Sequence, residues 1–259
     1  MNKKIFFLLI LLILIIIFIK IKNLKIEKFL NKNNNYDIRN IVDEIYIINM
    51  DKDADRMKKL NNKMNKLGLK YKRISGIDGK KIYEKYEGKT NLRPGQLGCL
   101  LSHQIVLKDA IKNNYNNILV LEDDVIFHKD FHNEFKKKFK YLIDREKNFD
   151  LIYLGCSQKH NWKNIKIKKE YLDGYKMDGT FSMIINNNIN KKIINLSNNL
   201  DKPIDRVLYD NIQKNNTYCF YPYVVSVNGN CISNTENYYN INQKYYKSNR
   251  IDINDFNIN

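Results

Sequence analysis

The chain has 259 residues, 45 of them lysine or arginine and 28 acidic, for a formal net charge of +17. A hydrophobic content of 43% with 12% aromatics suffices for a packed core and excludes a mostly disordered chain, and 10 glycines with 3 prolines exclude collagen-like or proline-rich architecture. The four cysteines at 99, 156, 219 and 231 form no Cys-x-x-Cys pair, so neither a zinc module nor a disulfide framework is supported.

Residues 5–19 read IFFLLILLILIIIFI, a run without one polar side chain, preceded by Lys3 and Lys4 and followed by Lys20, Lys22 and Lys25. As a helix it spans roughly 22 Å at about 1.5 Å per residue, short of a ~30 Å hydrocarbon core unless Lys20 snorkels and Ile21 joins the span. A cleaved signal peptide shares the basic start and the apolar run, but no small-x-small cleavage site follows. The expectation is an uncleaved signal-anchor over residues 1–24 and a polar, Asn/Lys-rich stem over 25–42. A folded domain over 43–232 and an Asn/Tyr-rich tail over 233–259 complete the division. Lysines at both ends of the run leave membrane orientation open.

Within the domain, Glu44-Ile45-Tyr46-Ile47-Ile48-Asn49 predicts a buried strand. Met57, Leu60, Met64 and Leu67 then recur at helical spacing up to Gly68. A second strand is expected over 71–74 with a turn at 75–79, and a helix opening at Pro94 and running to about Asn113. The run Asn117-Ile118-Leu119-Val120-Leu121 predicts a fully buried strand, followed by Glu122-Asp123-Asp124. A lysine-rich amphipathic helix over 129–142 and a strand over 149–154 come next. Residues 156–173 are polar and predict an irregular surface loop. A strand over 180–185, a helix over 187–196, a short helix after Pro203 and one strand over 218–227 complete the pattern. Strands alternating with helices predict an α/β domain with a mainly parallel sheet.

Lysine is scattered along the chain rather than gathered into one arm. A nucleic-acid binder concentrates its basic footprint, so nucleic acid is not expected as a partner. The informative chemistry lies in two segments. Glu122, Asp123 and Asp124 stand at the carboxyl end of an apolar strand, where like charges raise one another's pKa and where open α/β sheets bind ligands. A divalent cation relieves that repulsion, and oxygen ligands favour magnesium, manganese or calcium over zinc. A solvated acidic turn that caps the next helix is the competing reading. The second segment is Arg93-Pro94-Gly95-Gln96-Leu97-Gly98-Cys99-Leu100-Leu101-Ser102-His103. Its glycines let a backbone or a ligand approach, its helix start can receive an anion, and His103 is either a site residue or a satisfied core histidine. Asn49 and Arg56 can hold a nucleotide, although Arg56 can equally pair with a neighbouring aspartate.

The strings IYIINMDKDADRMKKL, YKRISGIDG, LRPGQLGCLLSHQIVLKDAI, ILVLEDDVIF, FDLIYLG, GTFSMII and PIDRVL, in this order and spacing, resemble glycosyltransferase family 25 over about residues 43–232. That family includes lipooligosaccharide and procollagen galactosyltransferases. The resemblance implies a GT-A-type, Rossmann-like fold that binds a UDP-sugar with a divalent metal (Mn2+ or Mg2+). Glu122-Asp123-Asp124 would then be the counterpart of the DxD motif, with Asp124 and Glu122 on the metal and Glu122, Asp123, Asn49 and Arg56 on the nucleotide-sugar. Inverting transfer needs one base, and Asp205 in Pro203-Ile204-Asp205 matches the family's Pro-x-Asp element, with helix capping as its bland alternative. His103 would shape the donor pocket or assist the metal site. The expected acceptor is a hydroxyl of a glycan or protein, and the expected place is a membrane surface, in the Golgi or endoplasmic reticulum lumen or on a viral or host membrane. A catalytically silent nucleotide-sugar or glycan-binding module of the same fold is the alternative. Met183 stands where family members often carry tyrosine, which puts that wall of the pocket in doubt.

Overall fold

The computed structural model describes Lys20 and residues 36–159, 167–174, 177–214, 216–228 and 252–256. The chain divides into two units, residues 1–36 and 37–259. Among the described residues no helix is long and apolar enough to cross a membrane. The apolar run at 5–19, on which the expected anchor falls, lies outside them, as does Cys231.

The second unit is an α/β domain around one eight-stranded sheet. Its helices are α1 (Ile38–Ile41), α2 (Ala54–Lys66), α3 (Gly79–Ile82), α4 (Pro94–Lys112), α5 (Phe131–Glu146), α6 (Asn187–Ser197) and α7 (Ile204–Asn211). The strands are β1 (Glu44–Asn49), β2 (Lys72–Ser75), β3 (Asn117–Glu122), β4 (Val125–Phe127), β5 (Leu151–Tyr153), β6 (Gln158–Lys159), β7 (Ile167–Lys168), β8 (Tyr171–Asp173), β9 (Met177–Asp178), β10 (Ser182–Asn186), β11 (Thr217–Phe220) and β12 (Val225–Val227). In space the main sheet runs β2-β1-β3-β10-β5-β11-β8-β7. Strands β1, β2, β3, β5, β7 and β11 point one way and β10 and β8 run against them. The sheet is therefore mainly parallel, as the alternation of elements requires. The antiparallel β10 in its middle begins at the carboxyl ends of its neighbours, and that placement matters for the site.

Side-chain alternation along β1 divides the helices between two faces. Tyr46 points to α4, where its hydroxyl donates to Asp109 Oδ2 (2.5 Å). Asn49 points to α2 and donates to the Asp53 carbonyl (3.0 Å). Helix α4 carries α6 on its side through Gln104 Nε2 and Ser197 Oγ (2.9 Å). Helix α5 lies with α2, because His132 Nε2–H donates to the Leu67 carbonyl (2.8 Å). The α5 face is aromatic: Phe131, Phe135 and Phe139 are buried, and Phe135 meets Phe220 of β11 edge-on at 5.6 Å.

Gly98 serves close packing of backbone, not a ligand. A Cβ there would lie 2.4 Å from the Ile77 carbonyl oxygen, and one on Gly79 would lie 1.7 Å from that of Pro94. The crossing of α3 and α4 thus needs both glycines. The start of α4 is occupied from within as well, since Arg93 N–H donates to Gln96 Oε1 (3.0 Å).

Two expectations are corrected. Residues 156–173 are not wholly irregular: β7 and β8 form a hairpin that extends the sheet, and buried Lys138 of α5 pairs with Glu170 at its turn (3.2 Å). Residues 218–227 are not one strand. β11 stays in the main sheet and β12 leaves it to pair with β4, with Tyr221-Pro222 between them. The packed unit also takes in α1 and residues 252–256. Ile38 and Phe256 are buried, Lys129 N–H donates to the Asp255 carbonyl (2.8 Å), and Phe256 bridges to His128.

Candidate active site

Several elements converge at the carboxyl ends of β1 and β3. β3 is buried through Leu121 because its five apolar or amide side chains face helices on both sides of the sheet. Charge begins only where the strand emerges, at Glu122. β10, running the other way, starts here, so Phe181 accepts the Glu122 N–H (2.9 Å) and Thr180 Oγ1 donates to Glu122 Oε1 (2.8 Å). The β4–β12 pair fixes the next residues, and Asn228 N–H donates to the Asp124 carbonyl (2.8 Å). The first turn of α7 supplies Asp205, and the first turns of α4 supply Cys99 and His103.

The three consecutive carboxylates have different surroundings. Asp123 is neutralised: Asn49 Nδ2 donates to its Oδ2 (2.7 Å) and Arg56 Nη1 to its Oδ1 (2.9 Å). Asn49 is itself held by Arg73, whose Nε donates to Asn49 Oδ1 (2.9 Å) while its Nη2 reaches Asp51 (2.5 Å). The pairing of Arg56 with an aspartate therefore does occur, but across 67 positions and inside the site. Its side chain is 19% exposed and that of Asp123 8%. Removing one partner of such a pair strands the other charge, so Arg56→Met is expected to cost about 3 kcal/mol and lower the melting temperature by roughly 6–12 °C. Adding Asp123→Asn to Arg56→Met should recover most of that loss in the same thermal melt.

Among the described residues, Glu122 and Asp124 have no cation within hydrogen-bonding reach. Burial first, then the charges of Asp123 and Asp205, raise Glu122, while Thr180 and Arg56 oppose. Burial, then Glu122 and Asp123, raise Asp124. Asp124 Oδ1 is buried without a hydrogen-bond partner in the protein. Both carboxyls are pushed up to about 7. A raised folded-state pKa stabilises the fold below the unfolded value and loses that contribution as pH climbs through the folded value. The metal-free protein is therefore expected to melt progressively lower from about pH 4 to about pH 7 and to level off above, as a scanning-calorimetry series would record.

On the other side stand Asp205, His103 and Cys99. Asp205 Oδ1 accepts the Arg206 N–H (2.8 Å) inside the first turn of α7, while burial and then the charge of Asp178 hold its pKa above the ordinary range. Arg206 bridges to Asp178 Oδ2 (3.1 Å) and stacks on Tyr209. His103 is 2% exposed. Its Nδ1 lies 3.0 Å from the Cys99 carbonyl and its Nε2 is buried without a hydrogen-bond partner. Burial lowers its pKa, against the Cys99 and Thr180 backbones and Asp205. Burial, with Glu122 and Asp205 behind it, raises the Cys99 thiol well above its usual value.

Every residue named from the sequence thus falls in one region, in two groups: Asn49, Arg56 and Asp123 in one, and Glu122, Asp205 and His103 in the other, with Asp124 coupled to both. Thr180, Arg73, Asp178 and Arg206 were not foreseen. Only Cys99, four residues before His103 on the same helix, had a sequence signal. Beside Asn49 a cleft of about 460 Å³ opens between α2 and β2, lined among others by Asp51, Met57, Lys58, Asn61, Tyr71 and Arg73. Among the described residues no cluster of three or more His, Cys, Asp or Glu side chains forms a metal cage. Met183 is buried in the core of β10.

The chain matches the family described as Glycosyltransferase family 25 (LPS biosynthesis protein) over residues 42–208. It is 30% identical over 132 residues to a glycosyltransferase 25 family member of Aedes aegypti, covering 44% of this chain and 21% of that protein. Procollagen galactosyltransferase 2 of Homo sapiens is likewise 30% identical over 132 residues, with 44% and 20% covered. The inactive glycosyltransferase 25 family member 3 of Homo sapiens is 24% identical over 132 residues, with 45% and 22% covered. The chain spans about a fifth of the length of these curated relatives.

Proposed function

The chain belongs to glycosyltransferase family 25, and on that premise we propose that it transfers a hexose such as galactose from a UDP-sugar to a hydroxyl of a glycan or protein, with inversion. The observation that carries the reading is the pair Glu122 and Asp124: two half-buried carboxyls at the carboxyl end of β3, with the buried Asp124 Oδ1 left unpartnered among the described residues. Two oxygen donors whose mutual repulsion has no counter-charge suit Mn2+ or Mg2+, with the remaining ligands coming from water or diphosphate. A cation bound there would supply Lewis-acid stabilisation of the departing diphosphate.

The protein's own residues do the rest. Asn49 and Arg56 hold Asp123 rigid beside the cleft, which is sized and lined for a nucleotide base and ribose. Thr180 orients Glu122. Asp205 takes the proton from the acceptor hydroxyl as its oxygen attacks the anomeric carbon and the bond to diphosphate breaks. His103 stands on the α4 side of the site beside Thr180 and Asp205 and shapes that wall, and burial, which lowers its pKa, favours its neutral form. We place the domain at a membrane through the run at 5–19, in a secretory lumen or on a viral or host membrane, with no nucleic acid in its task.

One comparison favours a silent binding module instead: an inactive human member matches over as many residues as the galactosyltransferase does. Incubating the detergent-solubilised chain with UDP-galactose and UDP-glucose, with manganese or with chelator, separates the two. Metal-dependent release of UDP supports the enzyme; donor binding without turnover, with or without acceptor, supports the silent module.

A further inference from the structure

The scattered lysines are not scattered in space. Between Met57 and Tyr71 lie Lys58, Lys59, Lys63, Lys66 and Lys70, and no acidic residue. Lys59, Lys63 and Lys66 recur at i, i+4 and i+7 and so form one stripe on α2, clear of its buried Leu60 and Met64. Lys59, Lys66 and Lys70 are exposed and form no ion pair among the described residues. On α5, by contrast, Lys137 pairs with Glu134 and Lys140 with Asp144.

The stripe also lies at a particular end of the domain. β1 runs from Glu44 towards the carboxylates, and α2 runs back, which brings Lys66 and Lys70 to the end opposite the candidate active site. Residues 1–36 join the domain at this same end, at Asp37. Asp37 Oδ2 lies 4.0 Å from His132 Nδ1, and the other nitrogen of that ring bonds Leu67 at the end of α2. The segment that joins there carries the apolar run at 5–19 and its flanking lysines.

We infer that Lys59, Lys66 and Lys70 dock the domain on the anionic headgroups of a lipid surface. An anionic bilayer attracts each nearby basic side chain by a factor of about five in partition. Docking on this flank keeps the carboxylate end of the sheet away from the bilayer and open to an acceptor. The inference is independent of the transfer chemistry and goes beyond the apolar run, which needs no anionic lipid.

Amine acetylation read by mass spectrometry tests it on the full chain, with vesicles of phosphatidylcholine alone or mixed with phosphatidylserine. Lys59, Lys66 and Lys70 should become about threefold or more less reactive only on the serine-lipid vesicles and recover in high salt. Lys80, Lys191 and Lys192, on the α4 face, should not change. The Lys59→Gln/Lys66→Gln/Lys70→Gln variant should lose roughly a hundredfold of the serine-lipid-dependent partition, and Lys80→Gln/Lys191→Gln/Lys192→Gln far less. Equal reactivity on both vesicles, protection shared by Lys191 and Lys192, or equal loss in the two triple variants would overturn the assignment. So would protection of the stripe by single-stranded RNA and not by vesicles, which would make nucleic acid the ligand.

Discussion

Asp124→Asn is expected to lower transfer from a UDP-sugar by about a hundred- to a thousandfold, the size of losing one preorganised group that acts on charge developing in the transition state. The same variant should be at least as stable as the natural chain when no metal is present. The substitution keeps the shape of the side chain and removes a half-buried charge that stands beside those of Glu122 and Asp123, with Arg56 already committed to Asp123. It should also abolish the rise in melting temperature that manganese gives the natural chain, a rise that should be largest above neutral pH, where both carboxyls are ionised. Loss of activity together with unchanged or higher stability separates a chemical role from a structural one. If Asp124→Asn retains full activity with and without chelator, the metal assignment is wrong.

Asp205→Asn should behave differently. Donor binding and slow metal-dependent hydrolysis of the donor should persist, while transfer to a hydroxyl falls by about 10²- to 10⁴-fold, the usual contribution of a positioned base. The acid limb of the rate profile carries a further sign. Asp205 works as a base only when ionised, and the Asp178 charge beside it holds its pKa up. Asp178→Asn removes that charge and frees the Arg206 guanidinium from its partner, so the acid limb should move to lower pH. An unchanged limb in Asp178→Asn, or full transfer by Asp205→Asn, would remove Asp205 from the mechanism.

Much of this site was legible in the chain, and what was missed has identifiable causes. The run Ile118 to Leu121 ended by three acids marks a buried strand that emerges at a ligand-binding edge, because apolar continuity and charge are local properties. The three acids look equivalent in sequence. They become distinct only through Asn49 and Arg56, which are 74 and 67 positions from Asp123 and reach it because β1 lies beside β3. Thr180 lay at the margin of a predicted strand whose direction no periodicity reports. Running antiparallel, β10 delivers it to Glu122. The hairpin at β7 and β8 is too short to show alternation and is held by Glu170 with Lys138 and by Tyr171 with Glu146, all side chains remote in sequence.

By itself the sequence determined the order and type of the principal elements, the glycines at the α3–α4 crossing and the residues that could carry chemistry. Those features depend on side-chain period, backbone freedom and charge within a few residues. Only the tertiary structure decided which carboxylate is neutralised and which is left bare, that Gly98 admits a backbone and not a ligand, and that exposed lysines line one flank of α2. Burial and pairing are set by neighbours from other strands and helices, and the free energy of a buried charge depends on those neighbours far more than on its position in the chain.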